Sequence, residues 1–125
     1  MKEQEEYRMK AEELRIGVWV FYESTIDDHE PKQVNGSDIA LFKEWADRYA
    51  PISIAEEWVK KLGYEIEYRA HSTSNYDWIA EKGNIKIVSL GDDVSVSLRF
   101  GGGRVLLENI RFVHQLQNLY YVLTN

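Results

Sequence analysis

Residues 84–110, "NIKIVSLGDDVSVSLRFGGGRVLLENI", decide the fold. Ile85 and Ile87, then Val94, Val96 and Leu98, recur at every second position, the period of a strand with one dry and one wet face. Breaks at Gly91–Asp93 and Gly101–Gly103 carry the residues of tight hairpin turns. Residues 64–70, "YEIEYRA", alternate in the same way, and "RVLLENI" at 104–110 does so less regularly. With further turn signals at Ser72–Asn75 and Lys82–Asn84, this half of the chain reads as an antiparallel meander. A sheet with one apolar face needs a cover. The expectation is therefore an α+β protein, a single small domain whose antiparallel sheet, mainly residues 64–109, is covered by helices at 54–62 and 110–123. Trp58, Leu62, Leu116, Leu119 and Leu123 would then be largely buried.

Upstream of the meander, Ser53 and Glu56 have the spacing of a capping box, Ile54, Trp58 and Leu62 form a helical stripe, and Gly63 stands where a left-handed cap belongs. Residues 37–49, "SDIALFKEWADRY", predict a helix with Ser37 as N-cap and Ile39, Phe42, Trp45, Ala46 and Tyr49 on one face. "VWVFYE" at 18–23 and "PKQV" at 31–34 read as short N-terminal strands, which could take an SH3-like form, the second closing on the turn dipeptide Asn35-Gly36. The opening "KEQEEYRMKAEEL" carries Tyr7, Ala11 and Leu14 at the spacing of a short amphipathic helix. No internal repeat interrupts the 125 residues, whose length suits one core.

Composition narrows the function. At 44% hydrophobic and 29% charged the chain has the make-up of a globular protein, and Trp19, Trp45, Trp58 and Trp78 are spread along it as anchors. With no cysteine, disulfides, thiolate chemistry and Cys-based zinc sites are out of reach. No secretory signal and no bilayer-length apolar run stands out, so a cytoplasmic location away from membranes is expected. The net charge is −6, and residues 1–50 hold 7 Lys/Arg against 12 Asp/Glu. Phosphate binding needs a basic footprint, so nucleic acid is disfavoured as a partner.

Three stretches carry a resemblance. "LRIGVWV" at 14–20, "PISIAEEWVKKLGYE" at 51–65 and "VHQLQNLYYVLTN" at 113–125 resemble a family of small uncharacterised proteins from Bacteroidetes genomes and their phages or mobile elements. Members typically read Leu-Arg-Ile-Gly-Asn-Trp-Val, then Pro-Ile-Pro-Leu-Thr-Glu-Glu-Trp-Leu, then Val-His-Gln-Leu-Gln-Asn-Leu-Tyr. Leu14, Arg15, Ile16, Gly17, Trp19 and Val20 match the first pattern, with Val18 in place of Asn. Pro51, Ile52, Glu56, Glu57 and Trp58 match the second, while Ser53, Ile54 and Ala55 depart from it. Val113 to Tyr120 match the third throughout. The resemblance implies one domain with this order of elements and a phage-related setting, and it implies no reaction.

Catalytic patterns are thin. "GGGRV" at 101–105 lacks the Lys-Ser or Lys-Thr and the following helix of a phosphate loop and reads as a hairpin turn. Asp27, Asp28, His29 and Glu30 are consecutive, a poor arrangement for one metal shell and a natural solvated loop. His71, Ser72, Ser74 and Asp77 contain triad residue types without a nucleophile elbow. Asn35-Gly36-Ser37 matches a glycosylation acceptor but, without secretion, reads as a turn. Tyr64, Tyr68, Tyr76 and Trp78 could stack bases, yet lack the basic groove that stacking platforms use. No catalytic, cofactor or metal residues are assigned, and no enzyme is expected.

One pattern stays open. On the final helix His114, Gln117, Asn118 and Tyr121 fall at i, i+3, i+4 and i+7, a second face rotated from the apolar stripe. Amides and a phenol suit a surface that loses water while keeping directed hydrogen bonds. This candidate interaction face either packs on the "RIGVWV" strand, through its backbone, or meets a partner. The expected function is a non-enzymatic protein-binding accessory module. The alternatives are a nucleic-acid-binding regulator built on Lys60, Lys61, Arg69, Lys86, Arg99, Arg104 and Arg111, and an enzyme of unassigned class.

Overall fold

The computed structural model describes residues 9–25, 28–68, 76–91 and 93–124. Among these residues the architecture is α+β: two antiparallel sheets, of three and five strands, with three α-helices. The chain forms two compact units, residues 1–52 with 113–125, and residues 53–112.

In the first unit β1 (Trp19–Thr25) pairs with β2 (Asp28–Gln33) on one side and with β3 (Tyr49–Ala50) on the other, in the order β2-β1-β3. This sheet is open, not an SH3-like closed barrel. β2 begins upstream of the expected 31–34. Between β2 and β3 runs α1 (Gly36–Trp45), followed by a 3-10 turn at Ala46–Arg48. Its N-cap is Asn35, not Ser37: the Asn35 carboxamide accepts from Asp38 N–H at 3.0 Å while the Asp38 carboxylate accepts from Asn35 N–H at 2.9 Å. That reciprocal cap turns Asp38 inward, where it is 5% exposed. The apolar face shifts with it. Phe42 is buried one turn later, whereas Ile39 and Trp45, expected inside, are 41% and 40% exposed. Tyr49, expected on the helix, is buried from β3 instead. Met9, Leu14, Val18, Val20, Val34, Phe42 and Tyr49 form the core of this unit. Of the expected N-terminal helix, Tyr7 lies outside the described residues, and the described part is a 3-10 turn at Ala11–Glu13. The final helix, α3 (Val113–Thr124), belongs to this unit as well, packing on β1 and on that turn.

The second unit opens with α2 (Glu56–Lys61), shorter than the expected 54–62. Its N-cap is Ala55 with no side-chain cap, because Ser53 is drawn into a β-bridge with Phe112. Gly63, at φ +90°, does provide the left-handed exit. Trp58 is 7% exposed; Leu62, at the C-cap, is half-buried. The meander follows in chain order: β4 (Glu65–Tyr68), β5 (Trp78–Lys82), β6 (Ile85–Leu90), β7 (Asp93–Phe100) and β8 (Gly103–Leu107). β5 was not legible as a strand. Lys82↔Ile85, Leu90↔Asp93 and Phe100↔Gly103 close three two-residue hairpin loops, each with its first loop glycine at φ +62°. The register places Ala80, Ile87, Val96 and Leu107 in one row on the dry face, and Glu65, Glu81, Lys86, Ser97 and Leu106 in a row on the other.

Candidate functional site

Gly17 sits at φ +100°, a conformation that costs a side-chain-bearing residue strain, and it stands at the entry to β1. α3 lies against that entry. The Gln117 carboxamide accepts from Trp19 N–H at 2.8 Å and donates to the Gly17 carbonyl at 3.3 Å. The same carbonyl accepts from Gln33 Nε2 at 3.0 Å. Asn118, one position on, donates to the Glu13 carbonyl at 2.9 Å and accepts from Arg15 Nε at 2.9 Å. Arg15 then reaches the Gln117 carbonyl at 3.3 Å and lays its guanidinium 4.0 Å from the centre of the Tyr121 ring. His114 is fully buried, its Nε2 at 2.8 Å from Glu13 Oε1.

The four side chains singled out by helical spacing are thus brought together, and all four meet residues 13–19 of the same unit. Tyr121 alone among them is exposed, at 46%. The stripe behind them is less buried than its spacing predicts. Leu116 is enclosed, Phe112 and Leu119 are half-buried, and Leu123 is 44% exposed, while Val113 and His114 take the innermost positions. The reason is rotational: satisfying Gln117 and Asn118 against residues 13–19 turns the helix toward its amide face. Two of the resembling stretches, 14–20 and 113–120, are therefore hydrogen-bonded to each other, and the third joins them where Val113 N–H donates to the Ile52 carbonyl at 2.7 Å.

A second polar cluster escaped the sequence reading. The Tyr49 hydroxyl donates to Asp38 Oδ1 at 2.8 Å, and Lys32 Nζ stands 3.6 Å from Oδ2. Burial, and then the hydrogen bond and charge of Asp38, push the Tyr49 phenol well above its ordinary range. Its only sequence signal was Asp38 three positions after Asn35. In the second unit Tyr68 donates its hydroxyl to Glu56, which also meets Lys60 at 3.4 Å. The Tyr68 hydrogen bond, with Lys60 behind it, holds the Glu56 carboxyl below the usual carboxylate range.

The remaining candidates disperse. Asp27, His71, Ser72 and Ser74 lie outside the described residues; Asp28, His29 and Glu30 are backbone members of β2. Asp77 accepts from Gly91 N–H at 2.9 Å, bracing a hairpin turn. Tyr64 and Trp78 are each 7% exposed, Tyr76 is half-buried, and Tyr68 is engaged by Glu56. Among the described residues no group of three or more His, Asp or Glu is placed to hold a metal ion, and no helix is long and apolar enough to cross a membrane. No protein-family model, curated protein or solved structure matches the chain.

Proposed function

We propose that the chain acts without chemistry of its own, as a small accessory module that binds another protein, in the phage or mobile-element setting its resemblance suggests. The observation that carries this reading is a surface on α1. Leu41 and Trp45 stand one helical turn apart and remain 46% and 40% exposed, and Arg48 lies 4.4 Å from the centre of the Trp45 ring. Tryptophan and arginine dominate binding energy at protein interfaces, and such a cluster is costlier to leave wet than a scattered leucine. The partner it fits offers an apolar cleft for Leu41 and the indole, and a carboxylate for Arg48.

Capture from host extract with the whole chain, followed by identification and titration of the retained protein, tests this. Trp45→Ala and Leu41→Ala are expected to weaken binding of that protein at least tenfold while leaving Tm nearly unchanged, as surface truncations do. Binding indifferent to both changes overturns the reading. Salt-dependent retention of nucleic acid would support the regulator instead. Against that alternative, Lys60 is shared with Glu56 at 3.4 Å, and Lys86 stands directly across from Glu81.

A further inference from the structure

The five-stranded sheet has two outer strands, and they are finished differently. β4, "EIEY", puts Glu65 and Glu67 on its edge, the usual charged guard against stray pairing. β8, "GRVLL", has one charge, Arg104, and is otherwise apolar: Val105 is 47% and Leu106 57% exposed, on opposite faces, and Phe100 beside them is 71% exposed. The direction of its backbone follows from the hairpin. A two-residue loop makes Phe100 and Gly103 a hydrogen-bonded pair, so Leu98–Val105 and Val96–Leu107 are too, and the intervening Arg104 and Leu106 turn their N–H and C=O groups away from β7.

We propose that β8 pairs antiparallel with β8 of a second copy about a two-fold axis at Leu106, joining two sheets edge to edge. The register is chosen by side-chain chemistry. Centred on Leu106, the outward groups of each Leu106 face each other. On one face Leu106 then meets Leu106 of the second copy, flanked on both sides by Arg104 near Glu108 of the other chain, the first residue of the turn that follows its β8. On the other face Val105 meets Leu107 of the second copy. Centring two residues earlier would oppose Arg104 to itself. Within one copy Arg99 already stands directly across from Arg104, a like-charge pair on one face, and Glu108 of the second copy is the carboxylate that relieves it. Both Arg104 and Glu108 are exposed and available to do so. The proposal uses other residues than the α1 cluster, in the other unit, so either proposal can fail alone. A single five-residue strand buries little area, which makes the dimer a concentration-dependent one.

Sedimentation velocity on the whole chain, from about 1 to about 500 µM, reads the outcome. A reversible monomer–dimer equilibrium is expected. Arg104→Glu or Glu108→Arg alone should raise the dimer Kd by about tenfold or more, and the double exchange Arg104→Glu/Glu108→Arg should restore it to within about threefold. Leu106→Pro removes an outward N–H that β7 does not use and should abolish the dimer with the circular dichroism spectrum unchanged. Monomer throughout the range overturns the proposal, as does growth beyond dimer, which would signal β8 pairing with β4 in an open chain. Failure of the double exchange to restore the wild-type Kd overturns the register.

Discussion

The two units of this chain are held by different kinds of interaction. In the first, the bonds that seat α3 join residues 98 to 105 positions apart, and most involve a side-chain amide, a guanidinium or a carboxylate. In the second, each strand of the meander pairs with the next one in sequence. The first unit is specified by a few directed polar contacts whose partners must be found across the whole chain; the second is specified by period and turn chemistry, which operate between neighbours. Loop-closure entropy weighs on the first and hardly on the second. Loss of one amide should therefore be felt in the first unit as loss of apolar volume is felt in the second, at a smaller magnitude.

The largest effect is expected in the meander. Ile87 is fully enclosed, and Ile87→Ala should cost about 2–5 kcal/mol in urea unfolding through lost burial and the cavity left behind. Next comes the amide face. Gln117→Ala takes the bonded groups away from Trp19 N–H and the Gly17 carbonyl and should cost about 1–3 kcal/mol; a shift below about 0.5 kcal/mol would show that polar closure is decorative. Arg15→Ala and Asn118→Ala, combined in a double-mutant cycle, should couple by about 1 kcal/mol, because each removes the other's partner. Additive losses would mean that Arg15 works through Tyr121 and the Gln117 carbonyl and not through Asn118.

A pH test sharpens the same contrast. The folded phenol of Tyr49 holds its proton more tightly than a free one, whose ordinary pKa is about 10. Its contribution is fully present below about pH 10 and is lost as the pH rises beyond that value. Between about pH 10 and 12 the wild type should lose stability faster than Tyr49→Phe, measured by thermal melting; parallel curves would remove Tyr49 from the account. The smallest effect belongs to the exposed pair in the second unit, where Glu56→Gln should leave Tm within experimental scatter.

What could be read in advance follows the same division. Three hairpins and the alternating strands of 84–107 were legible because glycine loops and a two-residue period act locally. β5 was not, since "WIAEK" places the small Ala80 on the dry face where alternation needs bulk. α1 was found but rotated wrongly: apolar spacing pointed to Ile39 and Trp45, and the reciprocal cap that buries Asp38 outweighed it. On α3 the second face was visible as a surface without formal charge. Its partners Glu13 and Arg15 were not, because nothing in a stretch of charged residues marks two of them as hydrogen-bonding hubs for a helix about a hundred positions away.

The bridge between Ser53 and Phe112, with Ile54 N–H donating to the Arg111 carbonyl at 3.3 Å, brings the first and last residues of the second unit side by side. Val113 N–H on the Ile52 carbonyl does the same for the two cut ends of the first unit. The second unit is in this sense a cassette, a closed excursion that leaves and rejoins its host at one point. A short turn spliced from Ile52 to Val113 spans the gap without stretching either side, and the meander, given new termini at its own seam, keeps every strand pairing it has.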